Sequence, residues 1–322
     1  VSYVGPDFDP PQPRRPRRGP LTVALAALVP GALAGWLVWQ AVGDDSGGGS
    51  GKAAGASTAA PSSASPEASA SPTADGKASP PAASSPAAKP STSRPAASGP
   101  LKGKVVVIDP GHNAGNFRHP SEINRQVDIG TNRKECDTTG TSTNAGYTEA
   151  KFTLDVARRM RTILEQQGAT VKFTQDGNRS WGPCVDERAR IGNEARADAA
   201  VSIHADGSAA GNRGFHVILP AAVHAGSADT RPIAAPSRDL GERIAGLFVR
   251  ETGSAPSNYI GDGTGLVTRK DLGGLNLSTV PKVFIECGNM RDSKDAALLT
   301  SGAWRQKAAR GISEGIVSFL RG

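Results

Sequence analysis

The chain has 322 residues, enough for one or two ordinary domains, with 37 Lys and Arg against 30 Asp and Glu. The formal charge is +7, and without residues 1–100 it is +5, 29 Lys and Arg against 24 Asp and Glu with no dense basic block, so a nucleic-acid partner is not expected. Its three cysteines, Cys136, Cys184 and Cys287, show no CxxC spacing, which argues against a cysteine-built zinc site.

Residues 1–21 form a basic tail that includes Arg14-Arg15-Pro16-Arg17-Arg18. The uncharged apolar run Thr22–Val42 follows, long enough to cross the hydrocarbon core as a helix, and Trp36 and Trp39 suit a membrane interface. Arginines before this run and Asp44-Asp45 after it place the tail in the cytoplasm and the rest outside. Ala32-Leu33-Ala34 has the form of a signal-peptide cleavage site, but the run continues past it, so a retained anchor is favoured over cleavage. On either alternative the remainder is exported. Residues 43–100 are nearly all Ala, Ser, Pro, Gly and Thr, which cannot bury enough apolar surface to fold, and they read as an extended linker.

Residues 101–322 make one domain with a full core. The continuous run Val105-Val106-Val107-Ile108 predicts a strand covered on both faces, ending at Asp109. Residues 113–148 are polar, rich in Asn, Thr and Gly, and read as a long functional or mobile loop. Phe152, Val156, Met160, Ile163 and Leu164 recur at helical spacing from Glu149, with Thr148 as N-cap and Gly168 as the stop. A strand over 170–174, a helix marked by Val185, Arg188, Ile191 and Ala195, and a strand over 199–203 come next. A strand over 215–219, a helix over 239–251, a strand over 283–285 and a closing helix over 303–320 complete the order. Strands alternating with helices predict an α/β fold with a mostly parallel twisted sheet flanked by helices.

Three of these strands deliver chemistry at their carboxyl ends, where open α/β sheets bind ligands. His112 follows the first through the turn Asp109-Pro110-Gly111, His204 follows the third, and Glu286 follows the last. Glu149, the first residue of its helix, can point its carboxylate back toward the strand ends. Two His and one carboxylate form an established catalytic zinc set, so His112, Glu149 and His204 are the candidate Zn²⁺ ligands. Glu286, a buried acid at the end of an apolar strand, is the candidate acid/base. His119 could touch substrate, whereas His216 and His224 are expected to be structural or exposed. Cys287 follows a buried strand, so an oxidising compartment predicts the disulfide Cys136–Cys184.

Four ordered motifs carry a family resemblance: Val107-Ile108-Asp109-Pro110-Gly111-His112, Thr148-Glu149-Ala150, Val201-Ser202-Ile203-His204-Ala205-Asp206 and Phe284-Ile285-Glu286-Cys287-Gly288-Asn289. Together with Arg188 to Asn193 and Leu275 to Pro281, they resemble the zinc-dependent N-acetylmuramoyl-L-alanine amidases of the type 3 family over residues 102–320. The resemblance implies cleavage of the amide between N-acetylmuramic acid and the L-alanine of the stem peptide in peptidoglycan. It assigns His112, Glu149 and His204 to zinc and Glu286 to acid/base catalysis, in an extracytoplasmic enzyme expected to be monomeric.

Asp206 stands where Asn is commoner in that family, and Cys287-Gly288-Asn289-Met290 replaces its Gly-Phe-rich turn. Some members carry a long autoinhibitory helix between the second His strand and the catalytic Glu. Gly- and Pro-punctuated sequence fills that interval here, which predicts a relatively open site. A non-catalytic peptidoglycan-binding module or an exported zinc peptidase are the alternatives. Retention of Glu286 argues against the first, and the lack of HExxH against the second.

Overall fold

A computed structural model describes residues 99–322. The basic tail, the apolar run 22–42 and the linker, except its last two residues, lie outside the described residues. Among the described residues no helix is long and apolar enough to cross a membrane.

In chain order the strands are β1 (Val105–Pro110), β2 (Gln126–Asp128), β3 (Arg133–Glu135), β4 (Thr170–Phe173), β5 (Ala199–Asp206), β6 (His216–Pro220), β7 (His224–Ala225), β8 (Ala228–Asp229), β9 (Leu266–Arg269) and β10 (Lys282–Asn289). The helices are α1 (Pro120–Ile123), α2 (Glu149–Gln166), α3 (Val185–Glu194), α4 (Arg231–Thr252), α5 (Gly273–Asn276), α6 (Ser293–Thr300) and α7 (Gly302–Arg321). One six-stranded sheet runs in the order β4-β1-β5-β10-β6-β9, and β2-β3 and β7-β8 are separate pairs. All neighbours in the large sheet are parallel except β10 and β6. The expected α/β fold with a mostly parallel sheet is therefore present.

The two faces of this sheet differ in chemistry because side chains alternate along each strand. Val106, Ile108, Val201, Ile203, Val217, Val283 and Ile285 belong to one apolar core with Phe152, Val156, Met160 and Leu164 of α2 and with buried residues of α4 and α7. Each such side chain, fully buried, contributes about 1.5–3 kcal/mol. The intervening positions Asp109, Ser202, His204, His216, Lys282 and Glu286 are also buried, so by alternation the second face carries a row of buried polar groups. It is covered by α3, α5 and the segment after β1.

Several elements depart from the sequence-based expectation. Strands β5 and β10 run on to Asp206 and Asn289, so His204 and Glu286 lie inside strands rather than after them. Helix α4 begins at Arg231, because Pro232 sits in its first turn, where proline lacks no needed donor, and Pro236 is accommodated within. Residues 113–148 are not a bare loop. They hold a 3-10 turn (Asn116–Arg118), α1 and the β2-β3 hairpin, and the Cys136–Cys184 disulfide ties them to the start of α3. Cys287 is buried and free, as expected.

Candidate metal centre

The turn after β1 sets the first candidate ligand. His112 has φ +62°, a left-handed conformation that costs a non-glycine residue on the order of 1–2 kcal/mol. Arg188 Nη2 and Gln175 Nε2 both donate to its carbonyl oxygen at 3.1 Å and hold it there. Its Nδ1 lies 3.1 Å from the carbonyl oxygen of Thr138 and 3.6 Å from Asp137, which leaves Nε2 facing Glu149 Oε2 at 3.1 Å.

Glu149 opens α2, as the sequence predicts, and its carboxylate reaches both histidines. Oε1 lies 3.0 Å from His204 Nδ1, and Oε2 accepts from the Thr141 amide at 2.9 Å. One donor atom from each of His112, Glu149 and His204 lies within 4.8 Å of the others, and all three residues are buried. Burial would raise the Glu149 carboxyl, but His112 beside it overcomes this and holds it well below the usual range. Burial pushes His204 down to about 4. The Glu149 carboxylate and the neutral His204 imidazole are the forms that bind metal, whereas the Glu149 charge, against burial, raises His112 above its ordinary value, so a metal would have to displace a proton there.

Close packing fixes His204. Its ring stacks on Phe284, centroids 5.1 Å apart and nearly parallel, and lies against Gly111. A Cβ added at Gly111 would sit 2.3 Å from His204 Cε1, so the turn admits only glycine there.

Beneath the trio runs a buried ionic network. Asp109 Oδ1 accepts from Thr174 at 2.6 Å and from Arg188 at 2.7 Å. Its Oδ2 accepts from Ser202 at 2.5 Å and Lys282 at 3.2 Å. Arg188 also donates to the carbonyls of Pro183 and Pro110 and to Asp137 Oδ2. Burial opposes charge on Asp109 and Asp137, but Lys282 and Arg188 outweigh it at Asp109, and Arg188 does so at Asp137, holding both carboxyls below the usual range. Helical spacing alone places Arg188 on a buried face. Only the structure shows that its fork joins the first strand, the first ligand and the disulfide-bearing segment.

Glu286 stands in register with His204 on β5 and with His216 on β6. Its carboxyl is raised well above the ordinary value by burial, then by Asp206 and Glu149, which suits a group that holds and releases a proton. Asp206 accepts from the Tyr259 hydroxyl at 2.6 Å. His119 pairs with Glu122 at 3.3 Å and approaches Trp181 at the surface. His224 is exposed beside Asp229 and Arg231. His216 is buried, which the sequence left open.

The three candidate ligands are buried. The interval between β5 and Glu286 carries no helix over the trio, since α4 packs on α7 and β6. Gly140 packs closely on both His112 and Glu149. The recess bounded by His112, His204, Leu272 and Phe284 has a volume of about 60 Å³, room for a few waters or one small group.

Two imidazoles and a carboxylate converging beside a proton-holding acid fit a metal-dependent hydrolase. Sequence comparison agrees: the family described as N-acetylmuramoyl-L-alanine amidase matches residues 106–318, and the chain belongs to it. An N-acetylmuramoyl-L-alanine amidase of Mycobacterium tuberculosis is 41% identical over 225 residues, covering 68% of this chain and 88% of that protein. The N-acetylmuramyl-L-alanine amidase Ami1 of Mycobacterium smegmatis superposes with a TM-score of 0.62 at 39% identity, over 68% of this chain and 98% of its own. The apo form of Ami1 from Mycobacterium abscessus gives 0.62 at 41% identity, over 68% and 100%.

Proposed function

We propose that the chain hydrolyses the amide between N-acetylmuramic acid and L-alanine in peptidoglycan, with His112, Glu149 and His204 holding Zn²⁺ and Glu286 moving the proton. The observation that carries the assignment is the convergence of one donor atom from each of the three residues within 4.8 Å, all buried. The donor set fits a borderline ion: two nitrogens, one carboxylate, and a His112 whose other nitrogen is already committed to a backbone carbonyl. When bound, zinc supplies a Lewis acid for the scissile carbonyl and lowers the pKa of water toward ~7.

The chain's own residues do the rest. Glu149 and the two histidines fix where the carbonyl can sit. Phe284 and Leu272 keep the recess beside them apolar, so charge developing there is poorly screened by solvent. Glu286 takes a proton from the attacking water and returns it to the alanine nitrogen as the amide breaks. Action outside the cytoplasm accords with a polymer substrate located there, and the apolar run 22–42 would hold the domain to the membrane. The Cys136–Cys184 bond accords with an oxidising compartment.

The test is incubation of the full chain with muramyl dipeptide and with purified sacculi. Release of peptides bearing a free N-terminal alanine is expected, abolished by a zinc chelator and lowered at least 100-fold in Glu286→Ala. Binding to sacculi without release would sink the hydrolase assignment.

A further inference from the structure

A cross-strand row on the polar face of the sheet contains His204, Glu286 and His216. Glu286 pairs with His204 across parallel β5 and with His216 across antiparallel β6. Directly opposed residues project to the same face as near neighbours. The candidate acid/base therefore has a metal-ligand candidate on one side and a second histidine on the other.

His216 is 4% exposed, and its Nδ1 is buried with no hydrogen-bond partner. Glu286 Oε2 is buried and unpartnered as well. Tyr259 stands edge-on to the imidazole at 6.0 Å, but its hydroxyl is committed to Asp206. Leaving a buried polar atom unsatisfied costs about 1–3 kcal/mol. Two such atoms on opposed side chains of one cross-strand pair mark a place completed by a water or by substrate. Burial, reinforced by Arg269, lowers the imidazole to about 4, so at neutral pH it carries one N–H and adds no charge.

We propose that His216 is a positioning residue for Glu286: its Nδ1 reaches the Glu286 carboxyl through one bridging water and holds it toward the scissile amide. The proposal rests on the amidase reading. On the sheet Glu286 separates His216 from His204, so His216 is expected to govern turnover through Glu286 and to leave metal binding alone.

Full-length zinc-loaded chain, assayed on muramyl dipeptide, tests it with His216→Leu and His216→Asn, whose amide nitrogen lies near the Nδ1 position. His216→Leu should lower kcat 10–100-fold, with KM within about twofold, and with zinc content and thermal midpoint unchanged. His216→Asn should recover most of kcat. In a Glu286→Gln background His216→Leu should cost less than about twofold, because the group it positions is gone. A fully active leucine variant, or one that loses zinc in proportion to activity, overturns the proposal. If the leucine variant does not fold, His216→Gln replaces it, and activity equal to that of His216→Asn overturns the proposal. The parent protein separates the two levels. An inactive parent removes the amidase reading and this inference together, whereas an active parent with an indifferent His216 removes only the inference.

Discussion

Arg188 Nη2 lies 3.1 Å from the carbonyl oxygen of His112, so a residue on α3 holds the backbone of the first candidate ligand in its left-handed conformation. The same nitrogen bonds Asp137 at 2.9 Å, and Asp137 faces His112 Nδ1. One guanidinium thus secures both the backbone and the ring of His112.

Arg188→Lys keeps the charge but loses the planar fork that reaches five partners. We expect zinc affinity to fall 10–100-fold and the thermal midpoint of the metal-free protein to drop. Competition with a chromogenic chelator measures the first and calorimetry the second. Unchanged affinity would remove Arg188 from the site.

Gly111→Ala puts a Cβ where the His204 ring lies. Either the ring or the turn must move, and overpacking of this kind costs about 1–3 kcal/mol. Loss of stoichiometric zinc, read by metal analysis after gel filtration, is the expected outcome. An alanine variant with full zinc would mean that the turn relaxes without disturbing His204.

The Cys136–Cys184 bond closes a sequence separation of 48 residues, worth about 4 kcal/mol of unfolded-chain entropy. Cys136→Ser with Cys184→Ser should lower stability by about 2–4 kcal/mol, measured by urea unfolding. It should also weaken zinc binding, since Cys136 precedes Asp137 and Cys184 precedes the helix bearing Arg188. Weakened stability with full zinc affinity would confine the bond to a structural role.

Acid should dismantle the network under the trio. Asp109 and Asp137 have carboxyls held below their ordinary value of 3.8 in the folded protein. Their contribution is therefore fully present above that value and is lost as pH falls below it toward the folded values. Asp137→Asn should be less stable at pH 7, because Arg188 loses a partner, yet lose less further stability between pH 5 and pH 3 than the parent. Thermal midpoints of chelator-treated protein across that range check this, and parallel curves for the two proteins would contradict it.

Much of the site was legible because its residues sit at the ends of short apolar runs. Val105–Ile108, Ala199–Ile203 and Val283–Ile285 each announce a strand, and the polar side chain that follows has to lie at the sheet edge. Glu149 was readable from the helical stripe that begins beside it. The exact strand ends were not, since Ala205, Asp206 and Cys287 carry no strong strand preference and are recruited by pairing between β5 and β10. The Arg188 hub escaped for a different reason. A charged residue on a buried helical face shows its purpose only when partners as distant as Asp109 and Asp137 are brought to it. His216 escaped likewise, because its significance depends on an antiparallel register that no local pattern specifies.

The two faces of the sheet are held by different physics. The face under α2, α4 and α7 is apolar and depends on exclusion of water. The face bearing His204 and Glu286 depends on ionised groups in their correct charge states. Stresses that spare one therefore reach the other: strong acid, well below pH 3.8, disorganises the polar network while the helical layer keeps its apolar contacts. A native-looking helical spectrum certifies only half of this molecule, and metal binding is the measurement that reports on the working half.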